Sequence, residues 1–160
     1  VLGENMPDRT AAKIFIENGI NGRRITPYMH SLFRPMLYVD IVDVCRAYEN
    51  LAIKILNHDI GRKRKSTAHI FNLYYPEPVT ILELAEIMKG AIIKYSNGRI
   101  IPEIEVMYTG QPCAFGKKDK NSFRVDISKA LNFLRLGRLR KPRETIEEIV
   151  KHRLGISRPS

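Results

Sequence analysis

The chain has 160 residues, of which 44% are hydrophobic and 28% are charged, a composition typical of a globular protein with one core. Its apolar stretches are far shorter than the roughly 20 residues that a membrane-spanning helix needs, and its start lacks the basic and apolar blocks of a signal peptide. The net charge of +10 favours anionic partners, namely nucleic acid, anionic lipid or phosphorylated small molecules. Cys45 and Cys113 are not spaced as a C-x-x-C pair, which predicts free thiols in a cytoplasmic protein. A single Gln among abundant Ile, Lys, Arg and Glu is typical of proteins from hot environments.

The first third of the chain predicts a helix, two strands and a second helix. Helical periodicity covers residues 11–18, and residues 24–28 predict a short strand that Pro27 weakens. Residues 36–39 predict another strand, and Asp40 then supplies a carboxylate that can cap the helix after it. The predicted inward faces are Ala11, Ile14, Phe15 and Asn18 for the first helix, and Val44, Ala47, Leu51, Ala52, Ile55 and Leu56 for the second.

The middle of the chain predicts a basic loop, a strand, a helix and a strand. Residues 58–67 carry repelling positive charges and a glycine, which predicts a solvated loop. Residues 69–75 predict a buried strand, and residues 104–108 predict another. Thr80 and Glu83 have the spacing of a capping box. The helix that follows them has one apolar stripe, made of Leu84, Ile87, Met88, Ala91, Ile92 and Tyr95.

The last third predicts a lysine-bearing loop at 110–122 and two helices. Asp126 can cap the first, and Thr145 with Glu148 form a second capping box that starts the other. We expect one domain over residues 1–156 and a disordered tail at 157–160. The fold class is mixed α/β. The strands at 36–39 and 69–75, joined by a helix, predict a parallel βαβ unit whose sheet is completed from outside this chain.

Several short segments occur in an order that resembles one enzyme family. Val1-Leu2-Gly3 is similar to a Val-Tyr-Gly motif, and residues 34–43 are similar to Arg-Asp-Phe/Tyr-Val/Ile-His-Val-x-Asp through Arg34, Val39 and Asp43. Residues 69–73 and Asp-Ile-Ser-Lys-Ala at 126–130 match two later motifs. Together they resemble the C-terminal, substrate-binding half of extended short-chain dehydrogenase/reductases. These are NAD-dependent nucleotide-sugar epimerases and dehydratases such as UDP-glucose 4-epimerase.

The resemblance implies a Rossmann-type enzyme whose nucleotide-binding half is absent from this chain. Neither a glycine-rich dinucleotide loop nor a Tyr-x-x-x-Lys pair occurs in the sequence. NAD would therefore be bound mainly by the missing half, and this chain is not expected to be catalytic by itself. Its ligand would be a UDP- or dTDP-sugar, and its partner an N-terminal Rossmann half or a separate chain, with homodimerisation as a further possibility.

The same resemblance implies four substrate-binding residues. Arg34 would hold the diphosphate, because a guanidinium makes two parallel charge-assisted bonds to phosphate oxygens. Tyr28 would contact the base, and Ile25 would line the same base pocket. The family's usual diphosphate arginine is missing near Gln111, so Arg124 or Lys117 is expected to replace it.

Two other interpretations remain open. Basic runs at residues 62–65 and 135–143 allow a nucleic-acid-binding module, although no aromatic residues alternate with these charges. The chain could instead be a non-catalytic subunit that docks on a separate Rossmann chain. The four histidines lack metal-ligand spacing. Asp43 and Asp126 are predicted as helix caps rather than as catalytic acids.

Overall fold

A computed structural model describes residues 1–57 and 70–156. The five α-helices of these residues are α1 (Ala11–Ile20), α2 (Ile41–Leu56), α3 (Ile81–Tyr95), α4 (Ser128–Phe133) and α5 (Pro142–Arg153). Two short strands, β1 (Pro35–Met36) and β2 (Val79–Thr80), and the 3₁₀ turns Met29–Ser31 and Asp119–Ser122 complete the architecture. The predicted mixed α/β class is confirmed. The predicted loop at 58–67, His69 and the predicted tail at 157–160 lie outside the described residues.

The main core lies where α1, α3 and α5 pack together. The apolar stripe predicted for α3 is largely correct, since Leu84, Met88 and Ile92 have no exposed surface. The stripe of α1 is shifted by one residue from the prediction, because Ile14 is exposed while Ala12 and Ile16 are buried. The other buried members of this core are Leu2, Met6, Phe15, Ile25, Ile81, Ala85, Ala91, Ile146, Ile149 and Val150.

The described residues contain little β-structure, which consists of one two-stranded sheet and a few isolated bridges. β1 and β2 pair antiparallel, with Pro35 opposite Thr80. Residues 25–29 and 103–107 run parallel, with bridges from Ile25 to Ile104 and from Tyr28 to Met107. Backbone bonds of 2.8–3.0 Å connect these two segments. The segments predicted as strands, 24–28 and 104–108, are not continuous strands in the structure. They meet in a short parallel ladder of isolated bridges, which brings residues 28–30 beside residues 107–109.

The predicted βαβ unit is wrong for the residues that the structure describes. Residues 70–75 form no strand, and one backbone bond of 2.6 Å, from the Tyr75 N–H to the Tyr38 carbonyl, links them to the segment before α2. Leu73, Tyr74 and Tyr75 instead pack beside a second small core. That core consists of Ala47, Ile127, Leu134, Leu136 and Leu139.

Two helix starts differ from the sequence prediction. α5 begins at Pro142, three residues before Thr145, because Pro is favoured in a first helical turn. The Glu144 carboxylate accepts from the Lys141 backbone N–H at 2.8 Å, so the predicted box of Thr145 and Glu148 does not start this helix. Asp126 accepts from the Ser128 N–H at 2.8 Å and therefore stabilises the turn that leads into α4.

The helix α2 starts as predicted, but most of the apolar residues that were predicted to face the core are not buried. The Asp40 carboxylate caps it, accepting from the Val42 N–H at 2.7 Å. Asp43 lies within the first turn and is not the cap. Of the six residues predicted to face inward, Ala47 alone is buried, whereas Ala52, Ile55 and Leu56 are exposed. Among the described helices, none is both long and apolar enough to cross a bilayer.

Candidate functional site

A polar, cation-bearing surface forms where the segment after the parallel ladder meets a long loop. We call residues 28–34 together with residues 107–124 the cationic surface. The His30 Nδ1 lies 3.1 Å from the Thr109 hydroxyl, and the Ala114 N–H donates to the His30 carbonyl at 3.1 Å. These contacts fix the loop against the 3₁₀ turn Met29–Ser31, so residues about 80 positions apart share one surface.

The aromatic part of the cationic surface is Tyr28. Its side chain is 51% exposed, and its ring stacks on the His30 imidazole with centroids 5.7 Å apart and planes inclined by 12°. Tyr108 and Phe123 are also exposed. A flat ring supported on one face by another ring is held in place at little further entropic cost, and its open face can stack on a planar ligand.

The Arg34 side chain is a weakly engaged cation of this surface. The residue is exposed, and its backbone N–H donates to the Ser31 carbonyl at 3.0 Å. Its guanidinium forms no hydrogen bond or ion pair with another residue in the described part of the chain. The preceding turn is anchored, because Leu32 is buried and its carbonyl accepts from the Leu82 N–H at 3.0 Å. The backbone at Arg34 is therefore fixed, while no residue that the structure describes occupies its guanidinium donors.

Lysines of the loop complete the positive character of the surface. The Lys117 ammonium lies 5.7 Å from the Phe33 ring centroid. Lys120 forms an ion pair with Glu83, the capping-box residue of α3. Burial raises the pKa of Glu83, but hydrogen bonds from Lys120 and Thr80 outweigh that effect and hold this pKa below its usual value. The ionised Glu83 thus ties the loop to the start of α3.

Arg124 lies beside Lys120 at the edge of the surface. One of its guanidinium nitrogens donates to the Asn121 carbonyl at 2.8 Å, and its other donors have no partner among residues 1–57 and 70–156, so they can bind an anion. A groove of about 360 Å³ runs past it and is lined by Pro76, Glu77, Pro78, Lys120, Asn121, Phe123, Arg124 and Val125.

The four sequence-predicted binding residues separate into two groups. Tyr28, Arg34 and Arg124 lie exposed on the cationic surface, although no contact joins Arg34 to Arg124. Ile25 has no exposed surface and packs in the main core, so in this structure it lines no base pocket. Reasoning from sequence missed His30 and Phe33, and the signal that was available is the run of aromatic residues at 28, 30 and 33.

The buried acids have structural partners. Asp40 accepts from the Thr145 hydroxyl at 2.6 Å and faces the Arg140 guanidinium at 3.3 Å. Asp43, which is 2% exposed, accepts from the Arg140 backbone N–H at 2.8 Å and pairs with Arg46. Both carboxylates therefore hold the segment before α5 against the start of α2.

Nothing in the described residues resembles a metal centre, since no three His, Cys, Asp or Glu side chains converge there. The cationic surface can bind an anion and stack against a ring. It contains no paired acid and base poised on a nucleophile. No protein-family model matches the chain, and no curated protein matches it.

Proposed function

We propose that this chain is the nucleotide-sugar-binding portion of an NAD-dependent epimerase or dehydratase of the cytoplasm, with the cationic surface as its ligand site. The observation that carries the proposal is that Arg34, whose guanidinium has no partner among the described residues, and Tyr28, whose ring stacks on His30, are both exposed in the same short segment. A nucleoside diphosphate presents a planar base and two charged phosphates, and these two residues match those two needs.

The binding mode follows from the free groups on the surface. The Arg34 guanidinium and the Lys117 ammonium would donate hydrogen bonds to the diphosphate oxygens. The base would stack on the open face of the Tyr28 ring. Arg124 and Lys120 border a separate groove, where they would hold the sugar or the second phosphate. Binding at fixed positions places the sugar for a reaction whose reactive groups come from another unit.

The residues of this chain do not fit NAD. The described part contains no glycine-rich turn between a strand and a helix, and its one sheet has two strands of two residues each. NAD would supply reversible hydride transfer at a sugar carbon, and its binding would belong to the nucleotide-binding half. The role of this chain is to bind and orient the substrate.

The nucleic-acid alternative has weaker support. In the basic stretch at 135–143, Arg138 pairs with Glu144 and Arg140 pairs with the buried Asp40, so two of its cations stabilise the fold. The run at 62–65 lies outside the described residues. The net charge of +10 still attracts polyanions, and strong salt-dependent binding to a DNA duplex would favour this alternative.

Substitution at Arg34 tests the proposed site. Calorimetric titration with UDP-glucose and dTDP-glucose is expected to show Arg34→Ala binding about 10- to 100-fold more weakly than the unmodified chain, because a charge-assisted pair contributes about 1.5–3 kcal/mol. The affinity of Arg34→Lys should lie between those of Arg34→Ala and the unmodified chain, because lysine keeps the positive charge but cannot make the two parallel hydrogen bonds of a guanidinium. Arg9→Ala, at an exposed position before α1, is the control for net charge. Equal affinity of Arg34→Ala and Arg9→Ala would contradict the proposal.

A further inference from the structure

Three arginines line one pocket between the start of α2 and the segment that precedes α5. Arg46, Arg138 and Arg140 share its walls with the acids Asp43 and Glu144. Its volume is about 310 Å³, several times that of a water molecule, which occupies about 30 Å³ in the liquid. We call it the arginine pocket, and it shares no residue with the cationic surface.

Buried neighbours fix the positions of these arginines. Asp43 is 2% exposed, and one of its carboxylate oxygens pairs with Arg46 while the other accepts from the Arg140 backbone N–H at 2.8 Å. The Arg140 guanidinium faces the buried Asp40 at 3.3 Å. Leu139, the residue before Arg140, is 5% exposed and packs in the second core. Because the walls are held in place by these contacts, a ligand would bind them at a low entropic cost.

The pocket contains more N–H donors than its own acceptors take up. Each carboxylate oxygen of Asp43 and Glu144 already accepts a hydrogen bond, either from an arginine or from a backbone N–H. In the part of the chain that the structure describes, Arg138 and Arg140 each engage a single guanidinium nitrogen, and each does so with one carboxylate. A guanidinium has further N–H donors and no acceptor, so donors remain in this pocket that no described residue pairs.

Arg46 carries the clearest sign of a missing acceptor. Its Nε is buried and has no hydrogen-bond partner among the described residues. One of its terminal nitrogens bonds Asp43 and lies 3.4 Å from the Arg138 carbonyl, and its side chain is 42% exposed. An unpaired buried donor is unfavourable. An oxyanion that draws the Arg46 guanidinium toward the pocket would supply the acceptor.

The chemistry of the lining indicates which anion fits. A guanidinium makes two parallel charge-assisted bonds to phosphate oxygens, and three guanidiniums around one pocket match the three free oxygens of a terminal phosphate. The diphosphate of a nucleotide sugar is esterified at both ends and lacks such a group. A nucleic-acid duplex presents its phosphates in rows, whereas these three cations line a single pocket.

We infer that the arginine pocket binds the terminal phosphate of a small molecule, either a phosphate monoester or inorganic phosphate, at a site separate from the cationic surface. Arg46, Arg138 and Arg140 donate to the phosphate oxygens. Asp43 and Glu144 hold the guanidiniums in place and offset part of their charge. This inference does not depend on the proposed function, because it uses none of the residues of the cationic surface.

The side-chain Nε–H signals of the arginines in NMR spectra test the site directly. During titration with inorganic phosphate or glucose 6-phosphate, we expect the signals of Arg46, Arg138 and Arg140 to shift together and to saturate with one dissociation constant. Arg135, which is exposed outside the pocket, should not shift, and potassium chloride at equal ionic strength should move none of these signals. Three unmoved signals, or shifts that chloride reproduces, would overturn the inference.

Substitutions in the pocket have opposite expected effects on phosphate affinity. The Arg138 side chain is 69% exposed, so Arg138→Gln should leave the circular dichroism spectrum unchanged and weaken phosphate binding about tenfold. Arg135→Gln, at an exposed position of the same stretch, is the matched control and should keep the affinity. Glu144→Gln retains an acceptor for the Lys141 N–H and removes a negative charge, so phosphate should bind about threefold more tightly. Equal affinities of Arg138→Gln and Glu144→Gln would contradict the assignment.

UDP-glucose and a short mixed-sequence DNA duplex distinguish the possible sources of the phosphate group. We expect neither to shift the three pocket signals at physiological salt. If the duplex shifts them and inorganic phosphate does not, the pocket contacts nucleic acid and the small-molecule assignment is wrong. If UDP-glucose shifts them, the pocket is not a separate site. A chain that binds inorganic phosphate in the pocket but fails to bind UDP-glucose would refute the proposed function alone.

Discussion

At the scale of single residues, Thr80 connects three parts of the molecule. Its hydroxyl accepts from the Glu83 N–H at 3.1 Å, and its own N–H donates to the Glu83 carboxylate at 2.9 Å. Thr80 also pairs with Pro35 in the two-stranded sheet. Because Glu83 binds Lys120 of the cationic surface, this cap positions the loop as well as the helix.

Loss of the Thr80 hydroxyl should destabilise the fold measurably. Replacing a threonine N-cap by alanine typically costs about 1 kcal/mol, and Thr80 is buried. Urea unfolding of Thr80→Ala is therefore expected to give a free energy of unfolding about 1 kcal/mol below that of the unmodified chain. Thr80→Ser keeps the capping hydroxyl and serves as the control. Equal stabilities of Thr80→Ala and Thr80→Ser would show that the cap does not form in solution.

Tyr38 provides a pH-dependent test of burial. Desolvation raises its pKa to about 12, whereas an unfolded tyrosine titrates near 10. The folded state thus holds this proton more tightly, so the stability that it contributes is present below about pH 10 and is lost as the pH rises through the folded pKa. In a spectrophotometric titration of the seven tyrosines, Tyr38→Phe should remove the most alkaline step. A titration in which this step persists would contradict the assignment.

At the scale of elements, two helical glycines with different surroundings test the packing of α1 on α3. A Cβ at Gly19 would lie 2.5 Å from the Ile92 Cδ1 and 3.3 Å from the Ile25 Cδ1, whereas a Cβ at Gly90 would meet no atom within 4 Å. Alanine favours an exposed helix position over glycine by about 1 kcal/mol. Overpacking a core costs about 1–3 kcal/mol.

We therefore expect Gly90→Ala to raise and Gly19→Ala to lower the free energy of unfolding. Thermal and urea unfolding of both variants measure the difference directly, and each variant is the control for the other because the chemical change is identical. A stabilising Gly19→Ala would mean that Ile92 repacks freely and that α1 and α3 are not in close contact.

The sequence predicted α3 better than α2 for a physical reason. The apolar residues of α3 lie on one face, so Leu84, Met88 and Ile92 can only point to the core. In α2, apolar residues cover more than half of the helix circumference, and periodicity alone does not show which part faces inward. The hydrogen bonds of Asp43 and Asn50 determine which side of α2 faces the protein. Their partners lie 97 and 84 residues away in the chain, so local sequence does not reveal them.

At the scale of the whole molecule, local patterns predicted the helices but not the sheet. The βαβ prediction required residues 70–75 to pair beside residues 36–39, yet Leu73 and Tyr74 pack near the second core instead. The cationic surface was predictable in part, because Tyr28, Arg34 and Arg124 are polar or aromatic residues outside the helical stripes. The contacts that build it, such as Lys120 with Glu83 across 37 residues, depend on tertiary structure.

If the proposed function is correct, the positive charge of this chain binds a nucleotide sugar rather than a nucleic acid. The most direct measurement is calorimetric titration of the unmodified chain with UDP-glucose and dTDP-glucose, and in parallel with a mixed-sequence DNA duplex, at low and at physiological salt. We expect at least one nucleotide sugar to bind saturably at one site at physiological salt, and we expect binding to the duplex to be lost at that salt concentration. Tight duplex binding at physiological salt without any nucleotide-sugar binding would contradict it.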